Sequence, residues 1–122
     1  MIKLWKRLSS KEFQIMFQSG AFFSRGCLSI AVKEDYLPSR VGFTMKKSKR
    51  SAVERNYNKR LLREAFIDIQ SFIPDYWSIV LIANTAKGDF KLDRIRFELL
   101  ELIDSAKNYF ISTHENSNHS TH

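Results

Sequence analysis

Hydrophobic positions change their spacing several times along the chain, and each change marks a predicted element. Near the N-terminus they recur at three- and four-residue steps, as on one face of a helix, at Phe13, Met16 and Phe17. Ser9 and Glu12 have the spacing of a capping box, and Gly20 is a suitable C-terminal stop. This pattern predicts a short helix over about residues 10–19.

Three further segments have the pattern of strands. Residues 28–32 alternate between two faces, and residues 41–46 do the same, which predicts two half-buried strands paired as a hairpin. Phe22 and Phe23 belong to the first of these strands or to a short separate one. Residues 78–83 form a continuous apolar run, as expected for a central strand covered on both faces.

Two longer helices complete the pattern. Residues 51 to about 70 lack Gly and Pro, and their apolar stripe has helical spacing: Leu61, Leu62, Ala65, Phe66 and Ile69. Asp89 is a candidate cap for the last helix, whose apolar positions are Leu92, Ile95, Leu99, Leu102, Ile103, Ala106 and Phe110. Residues 112–122 are polar and without periodicity, so we expect a disordered tail.

The order of helix, two or three strands, helix, strand and helix indicates an α+β layer structure. A length of 122 residues suits one domain, expected over residues 1–111, and 43% hydrophobic residues supply its core. The longest apolar run, residues 79–83, is far shorter than the roughly 20 residues of a membrane span. Basic residues interrupt the N-terminus, which leaves no hydrophobic region for a signal peptide.

The single cysteine and the three histidines do not indicate a catalytic or metal site. Cys27 is the single cysteine, which suits a reducing, cytoplasmic compartment, and we interpret it as a buried structural thiol rather than a nucleophile. The three histidines lie in the tail, where unordered ligands make a poor metal site. The acids Glu98, Glu101 and Asp104 are expected on the solvated face of the last helix.

The positive charge of the chain is confined to one segment. The net charge is +7, and residues 46–63 contain eight basic residues against one acid, which accounts for all of it. Because each helical residue advances by about 100°, Arg55, Lys59 and Arg63 form a row on one face. Asn56 and Arg60 lie next to that row, while the apolar stripe occupies most of the opposite arc.

Two interpretations compete for this charged face. A solvated helix face is the ordinary one, but such faces usually alternate in sign to form i,i+4 pairs, and Glu54 and Glu64 offset few of these cations. A polyanion partner supplies the missing negative charge and a gain from counterion release. We expect no membrane, because the apolar face is needed for packing, and no DNA, because a strand rather than a helix precedes this segment. RNA remains.

Residues 52–66 strongly resemble the signature helix of the bacterial ribonuclease P protein component, whose pattern is A-V-x-R-N-R-x-K-R-x-x-R-E-x-F. The resemblance extends outward to Arg7-Leu8, to the segment from Lys11 to Gly20, to residues 40–44 and to residues 75–83. It covers about residues 7–110, and a motif of fifteen positions with this many matches is specific.

The resemblance implies an α-β-β-β-α-β-α sandwich, with a mixed sheet of about four strands, helices packed on it and a left-handed βαβ crossover. It implies a protein subunit that associates with a large catalytic RNA and with precursor tRNA, in an endonuclease that removes the 5′ leader. The resemblance also implies that the RNA and its Mg²⁺ ions, held mainly by that RNA, carry the hydrolysis, and that the protein supplies no catalytic residue and no metal site of its own.

Site residues follow from the same resemblance. The catalytic RNA is expected on Lys46, Lys47, Lys49, Arg50, Arg55, Asn56, Lys59, Arg60 and Arg63. The single-stranded leader is expected in a cleft between the first helix and the sheet, at Phe13, Phe17 and Ala31. Spacing alone favours Phe13 and Phe17 as core residues, and only the resemblance makes the cleft an equal alternative.

The sequence departs from the family pattern in three places. Tyr57 replaces the second arginine of the R-N-R triplet, and Asn58 replaces the apolar residue after it. Arg50 replaces a loop glycine, and Ala31 stands where the family often has an aromatic residue in the cleft. We expect one lost phosphate contact and a leader that binds more weakly or on Phe22 or Phe23. An RNA- or ribosome-associated module without a processing role, or a small nuclease with a protein active site, are the alternatives.

Overall fold

The computed structural model of the chain describes residues 5–34, 40–46, 51–85 and 90–120, without the side chains of residues 114–120. Its elements in chain order are β1 (Lys6–Arg7), α1 (Ser10–Ser19), β2 (Ala21–Arg25), β3 (Leu28–Glu34), β4 (Arg40–Met45), α2 (Ala52–Ile69), a 3₁₀ turn (Gln70–Phe72), β5 (Trp77–Ala83) and α3 (Leu92–Ser120). The α+β class and the predicted order of the elements are confirmed, with one short strand, β1, added at the start.

The strands form one mixed sheet in the order β1-β4-β5-β3-β2. β2 pairs antiparallel with β3 and β3 pairs antiparallel with β5, while β4 pairs parallel with both β5 and β1. The predicted hairpin of β3 with β4 is therefore wrong. β3 pairs instead with β2 through a tight turn at Gly26, whose φ of 57° lies in the left-handed region that favours glycine.

β5 takes the central position because it is apolar along its whole length. All seven of its residues are buried, whereas β2 and β4 each have polar or exposed positions. The prediction of a central strand covered on both faces is confirmed. β4, α2 and β5 form a parallel βαβ unit, and its left-handed crossover stays an expectation.

Helices cover the two faces of the sheet unequally. Ala31, Val80 and Ile82 point to the face that carries α1, where they pack with Met16 and Leu8. The alternate residues of the same strands, such as Ile30 and Leu81, pack against α2 and α3 on the other face. One helix of ten residues therefore covers the first face, and two longer helices cover the second.

The helix boundaries follow from their caps. Ser9 and Glu12 form the predicted capping box, with hydrogen bonds of 2.9 and 3.2 Å between each side chain and the other residue's backbone N–H. Gly20 ends α1 by donating its N–H to the Met16 carbonyl, and a Cβ at this glycine would lie 2.5 Å from that oxygen. Ser51 caps α2 by accepting from the Glu54 N–H at 3.2 Å.

Two predictions at the edges of the fold need correction. The sheet has five strands in the described part of the chain rather than about four, because Lys6 and Arg7 pair with β4 at its outer edge. α3 continues to Ser120, so residues 112–120 are helical rather than a disordered tail. No Gly or Pro interrupts residues 92–120, and the backbone hydrogen bonds of the helix therefore continue. Asp89, the expected cap, lies outside the described residues.

A buried carboxylate joins the β2–β3 turn to α3. Glu98 accepts from the backbone N–H of Cys27 at 3.1 Å and from its thiol at 3.3 Å, and it pairs with Arg94 at 3.0 Å. Glu98 is 5% exposed, so its expected place on a solvated face is wrong: the turn covers it and supplies its hydrogen bonds. A Cβ at Gly26 would lie 2.0 Å from the Glu98 carboxylate, so this contact also requires glycine.

Cys27 is the buried structural thiol that was predicted. It is fully buried, and burial, the hydrogen bond to Glu98 and the negative charge of Glu98 raise its pKa from 9.0 to about 11. The thiolate population at neutral pH is therefore very small, which argues against a nucleophilic role.

This raised pKa predicts a loss of stability at alkaline pH. Below about pH 9 the thiol is protonated in both states, but between 9.0 and about 11 the unfolded chain releases a proton that the folded chain keeps. We expect the stability difference between the wild type and Cys27→Ala to shrink by up to roughly 2–3 kcal/mol over this range. Urea unfolding of both proteins measures it, because lysine and tyrosine titrations are common to the two. Parallel pH profiles would contradict the expectation.

Candidate RNA interface

One face of α2 carries the predicted basic row. Arg55, Asn56, Arg60 and Arg63 are exposed and Lys59 is half-buried. The opposite stripe is buried as predicted, at Leu61, Leu62, Ala65, Phe66 and Ile69. Packing of the apolar stripe on the sheet therefore holds the cations outward on a rigid element.

Counter-charges near this row are few. Arg60 is 3.6 Å from Glu64, a largely exposed pair that contributes little. Arg55, Lys59 and Arg63 make no ion pair with any acid in the described part of the chain. The guanidinium of Arg63 instead lies 5.9 Å from the centre of the Phe43 ring, in a cation–π contact. The row remains available to an external anion.

The other members of the predicted basic surface are placed in part. Lys46 is exposed at the end of β4, where its N–H donates to the Ala83 carbonyl at 2.9 Å. Lys47, Lys49 and Arg50 lie outside the described residues. Tyr57 is 58% exposed, so it presents its ring to solvent beside the basic row.

A groove opens on the α1 face of the sheet, next to the part that α1 covers. It has a volume of about 410 Å³ and is lined by Phe17, Phe22, Ser24, Ser29, Thr44, Met45, Lys46 and Ile82. The pairing registers place Ser24, Ser29, Ile82 and Thr44 in one row across four strands. Three of these four floor residues carry hydroxyl groups, and the rings of Phe17 and Phe22 stand at one side.

The predicted cleft residues lie at different depths. Phe17 and Phe22 are 44% and 50% exposed, and their rings stack with centroids 6.0 Å apart. Phe13 stacks on Phe17 at 6.3 Å but packs over Gly42, toward the other side of α1. Ala31 is fully buried beneath α1 beside Phe22, so it supports the floor and is not part of the open surface.

Several groove residues were not expected from the sequence. Ser24, Ser29, Thr44 and Ile82 had no motif that singled them out. The strand alternation did contain the relevant signal, because it set Ser29 and Thr44 on the face opposite Ile30 and Phe43. What it lacked was the strand order, which brings these positions into one row.

Other chemistry is limited in the described part of the chain. Over these residues, no group of three or more His, Cys, Asp or Glu side chains could hold a metal ion. No described helix is long and apolar enough to cross a membrane.

An exposed cationic helix and an open aromatic groove on a mixed sheet define an α+β protein of the nucleic-acid-binding class. The family model for ribonuclease P matches residues 3–107 of the chain. The chain therefore belongs to the ribonuclease P protein component family.

Relatives and solved structures agree with this assignment. The chain is 31% identical over 105 residues to the ribonuclease P protein component of Oceanobacillus iheyensis, which covers 84% of this chain and 87% of the relative. It is 34% identical over 100 residues to that of Brevibacillus brevis, with 80% and 79% covered. The RNase P protein from Thermotoga maritima superposes with a TM-score of 0.68 at 26% identity, over 80% of this chain and 94% of that one. The Staphylococcus aureus RNase P protein gives 0.68 at 25% identity, over 83% and 94%.

Proposed function

We propose that the chain is the protein subunit of a ribonuclease P ribonucleoprotein and supports removal of the 5′ leader from precursor tRNA in the cytoplasm. The family match over residues 3–107 carries this proposal. The signature segment of the family forms an exposed cationic face in this structure, as an RNA-binding role requires.

The catalytic RNA binds, in this proposal, along the basic face of α2. Arg55, Arg60 and Arg63 supply planar guanidinium groups, which suit bidentate contacts with phosphates. Lys59 adds a point charge and Asn56 a neutral hydrogen-bonding group. Lys46, Lys47, Lys49 and Arg50 extend the surface toward the groove. Tyr57 stacks or donates one hydrogen bond where the family has a charged contact.

The leader of the precursor tRNA binds in the groove beside α1. Unstacked bases of single-stranded RNA stack on aromatic side chains, and Phe17 and Phe22 present such rings. Serine and threonine hydroxyls in the floor offer hydrogen bonds to bases or sugars, and Lys46 offers a phosphate contact at one end. Phe22 takes the role that the family often gives to an aromatic residue at the position of Ala31.

Hydrolysis itself is assigned to the RNA subunit. Mg²⁺ ions, which we propose are held mainly by that RNA, supply the charge stabilisation and the activated water of phosphodiester cleavage. The described residues of the chain do not combine into a metal site that fits Mg²⁺. The contribution of this chain is to hold RNA in place and to neutralise phosphates.

Reconstitution tests the proposed function. The chain alone is expected to leave labelled precursor tRNA uncut in Mg²⁺, whereas the chain with its cognate catalytic RNA is expected to release the 5′ leader at a lower Mg²⁺ concentration than the RNA needs alone. Cleavage by the chain alone would indicate a protein nuclease. An unchanged Mg²⁺ requirement would favour an RNA-associated module without a processing role.

The salt dependence of binding tests the basic face. Replacing Arg55, Lys59 and Arg63 by Ala removes three phosphate contacts, and each contact accounts for roughly one unit in the slope of log K against log salt. We therefore expect the triple variant to bind the catalytic RNA more weakly and with a slope shallower by about three units. Filter binding over a range of salt concentrations measures both quantities.

A matched control removes the same charge elsewhere. Arg25, Lys91 and Lys107 lie outside the basic segment, and their replacement by Ala gives the same net charge as the triple variant. This control should keep the wild-type slope, apart from a small change through the field of the whole protein. Equal slopes for the two triple variants would exclude the α2 face as the RNA site.

Leader binding is tested by Phe22→Ala. Loss of one stacked base is expected to cost about 1–3 kcal/mol of affinity for a precursor with a long leader. Affinity for the same tRNA with its leader trimmed away should stay unchanged, because that substrate does not reach the groove. Phe97→Ala is the control, since Phe97 is 55% exposed but lies on α3. A similar loss for both substrates would count against the groove as the leader site.

A further inference from the structure

A second pocket lies at the outer edge of β4, between the start of α1 and the basic face of α2. Its volume is about 410 Å³, within the roughly 300–1,000 Å³ of small-molecule sites. Its lining residues are Trp5, Arg7, Phe13, Val41, Gly42, Phe43, Lys59 and Arg63. Three are cationic, three are aromatic and none is acidic.

The pocket exists because β1 is much shorter than the strand it covers. β1 pairs only with Arg40 and Val41, and the Leu8 N–H donates the last bond to the Val41 carbonyl at 3.2 Å. The chain then leaves the sheet, since Ser9 already caps α1. β4 continues to Met45, so no strand in the described part of the chain pairs with its outer edge from Phe43 onward.

The open edge also presents backbone groups. In a parallel sheet, the N–H and C=O of one residue both point to the strand on one side, and those of the next residue both point to the strand on the other side. Val41 bonds toward β1 and Lys46 bonds toward β5, so Phe43 directs its peptide groups to the uncovered edge. At the pocket, Phe43 therefore offers one donor and one acceptor, which is the kind of pair that the hydrogen-bonding edge of a nucleobase can meet.

Aromatic packing holds the walls of the pocket. Phe66, buried beneath the basic row, makes edge contacts with Trp5 at 5.1 Å and with Phe43 at 5.7 Å between ring centroids. Phe13 enters from the other side, where Gly42 leaves room for its ring: a Cβ there would lie 2.4 Å from it. Trp5 precedes β1, Phe13 lies on α1 and Phe43 on β4, so the three rings line one pocket only in the folded chain.

The cations lie on two sides of these rings. Arg7 is exposed on β1, and Lys59 and Arg63 are one turn apart on α2. A free phosphate would leave the aromatic walls unused, and an uncharged aromatic ligand would bring no negative charge to the three cations. A nucleotide uses both features.

We propose that this pocket takes a single unstacked nucleotide of the catalytic RNA, with its base against the rings of Trp5, Phe13 and Phe43 and its phosphate among Arg7, Lys59 and Arg63. The inference rests on the proposed function and deepens it. The pocket would contact one unstacked base of the catalytic RNA directly, whereas the basic row on α2 contacts only phosphates.

Tryptophan fluorescence of the full chain tests the pocket. The chain has two tryptophans, so the variant Trp77→Phe leaves Trp5 as the single fluorescent reporter. Trp77 is 1% exposed and lies outside the pocket, so its removal takes away no RNA contact. Titration with the catalytic RNA is expected to quench most of the Trp5 emission, saturating at one RNA per chain, because a base stacks on the indole. Adding Arg7→Gln should weaken binding roughly tenfold, as for loss of one charge-assisted hydrogen bond. Arg25→Gln, an exposed arginine at the far end of the sheet, should change neither quantity.

A second measurement uses the wild-type chain and does not depend on the folding of any variant. Ultraviolet irradiation of the complex with the catalytic RNA should cross-link one nucleotide to Trp5, Phe13 or Phe43, as read from peptide masses. Tight RNA binding with unquenched Trp5 and with cross-links only outside the pocket would overturn the inference while leaving the proposed function intact. No binding of the catalytic RNA by the wild-type chain would overturn the proposed function, and the inference with it.

Discussion

The insertion of β5 between β3 and β4 is the constraint on which the sheet and the groove beside α1 depend. A strand buried at all seven positions requires cover on both faces of the sheet. α2 and α3 provide it on one face, but α1 alone provides it on the other. A helix is about 10 Å wide, and a seven-residue strand is roughly 23 Å long, so one helix across the strands leaves part of that face uncovered. The groove with Phe17 and Phe22 is this uncovered part.

The basic helix combines two demands in one element. Its apolar stripe contributes five of the buried core residues, while its exposed face concentrates cations that repel one another. Such repulsion lowers the stability of the free chain, and an RNA partner would remove it on binding. Burial of the stripe keeps the helix rigid, so the cations need little ordering when they meet phosphates. The rest of the chain has no net charge, so electrostatic attraction of a polyanion is concentrated at this one segment.

The sequence was sufficient for what depends on local pattern. The capping box at Ser9, the apolar stripe of α2, the buried run of β5 and the basic row all follow from spacing within single elements. Strand order does not, because alternation shows which residues share a face but not which strands are neighbours. That gap produced the incorrect hairpin of β3 with β4 and hid the row of groove residues. Glu98 was missed for a related reason: its partner at Cys27 is 71 positions away, and helical spacing alone puts this acid beside exposed ones.

β4 connects the groove beside α1 with the pocket at the outer edge of the sheet. Thr44, Met45 and Lys46 line the groove, while Val41, Gly42 and Phe43 line the pocket at the outer edge. β4 is hydrogen-bonded to β5 along its whole length. A shift of β4 at the pocket would therefore also move the residues that line the groove. Both sites are preformed in the free chain, because β4 is paired with β5 before any RNA binds. Little free energy is then needed to order this strand, either when the holoenzyme assembles or when each precursor binds.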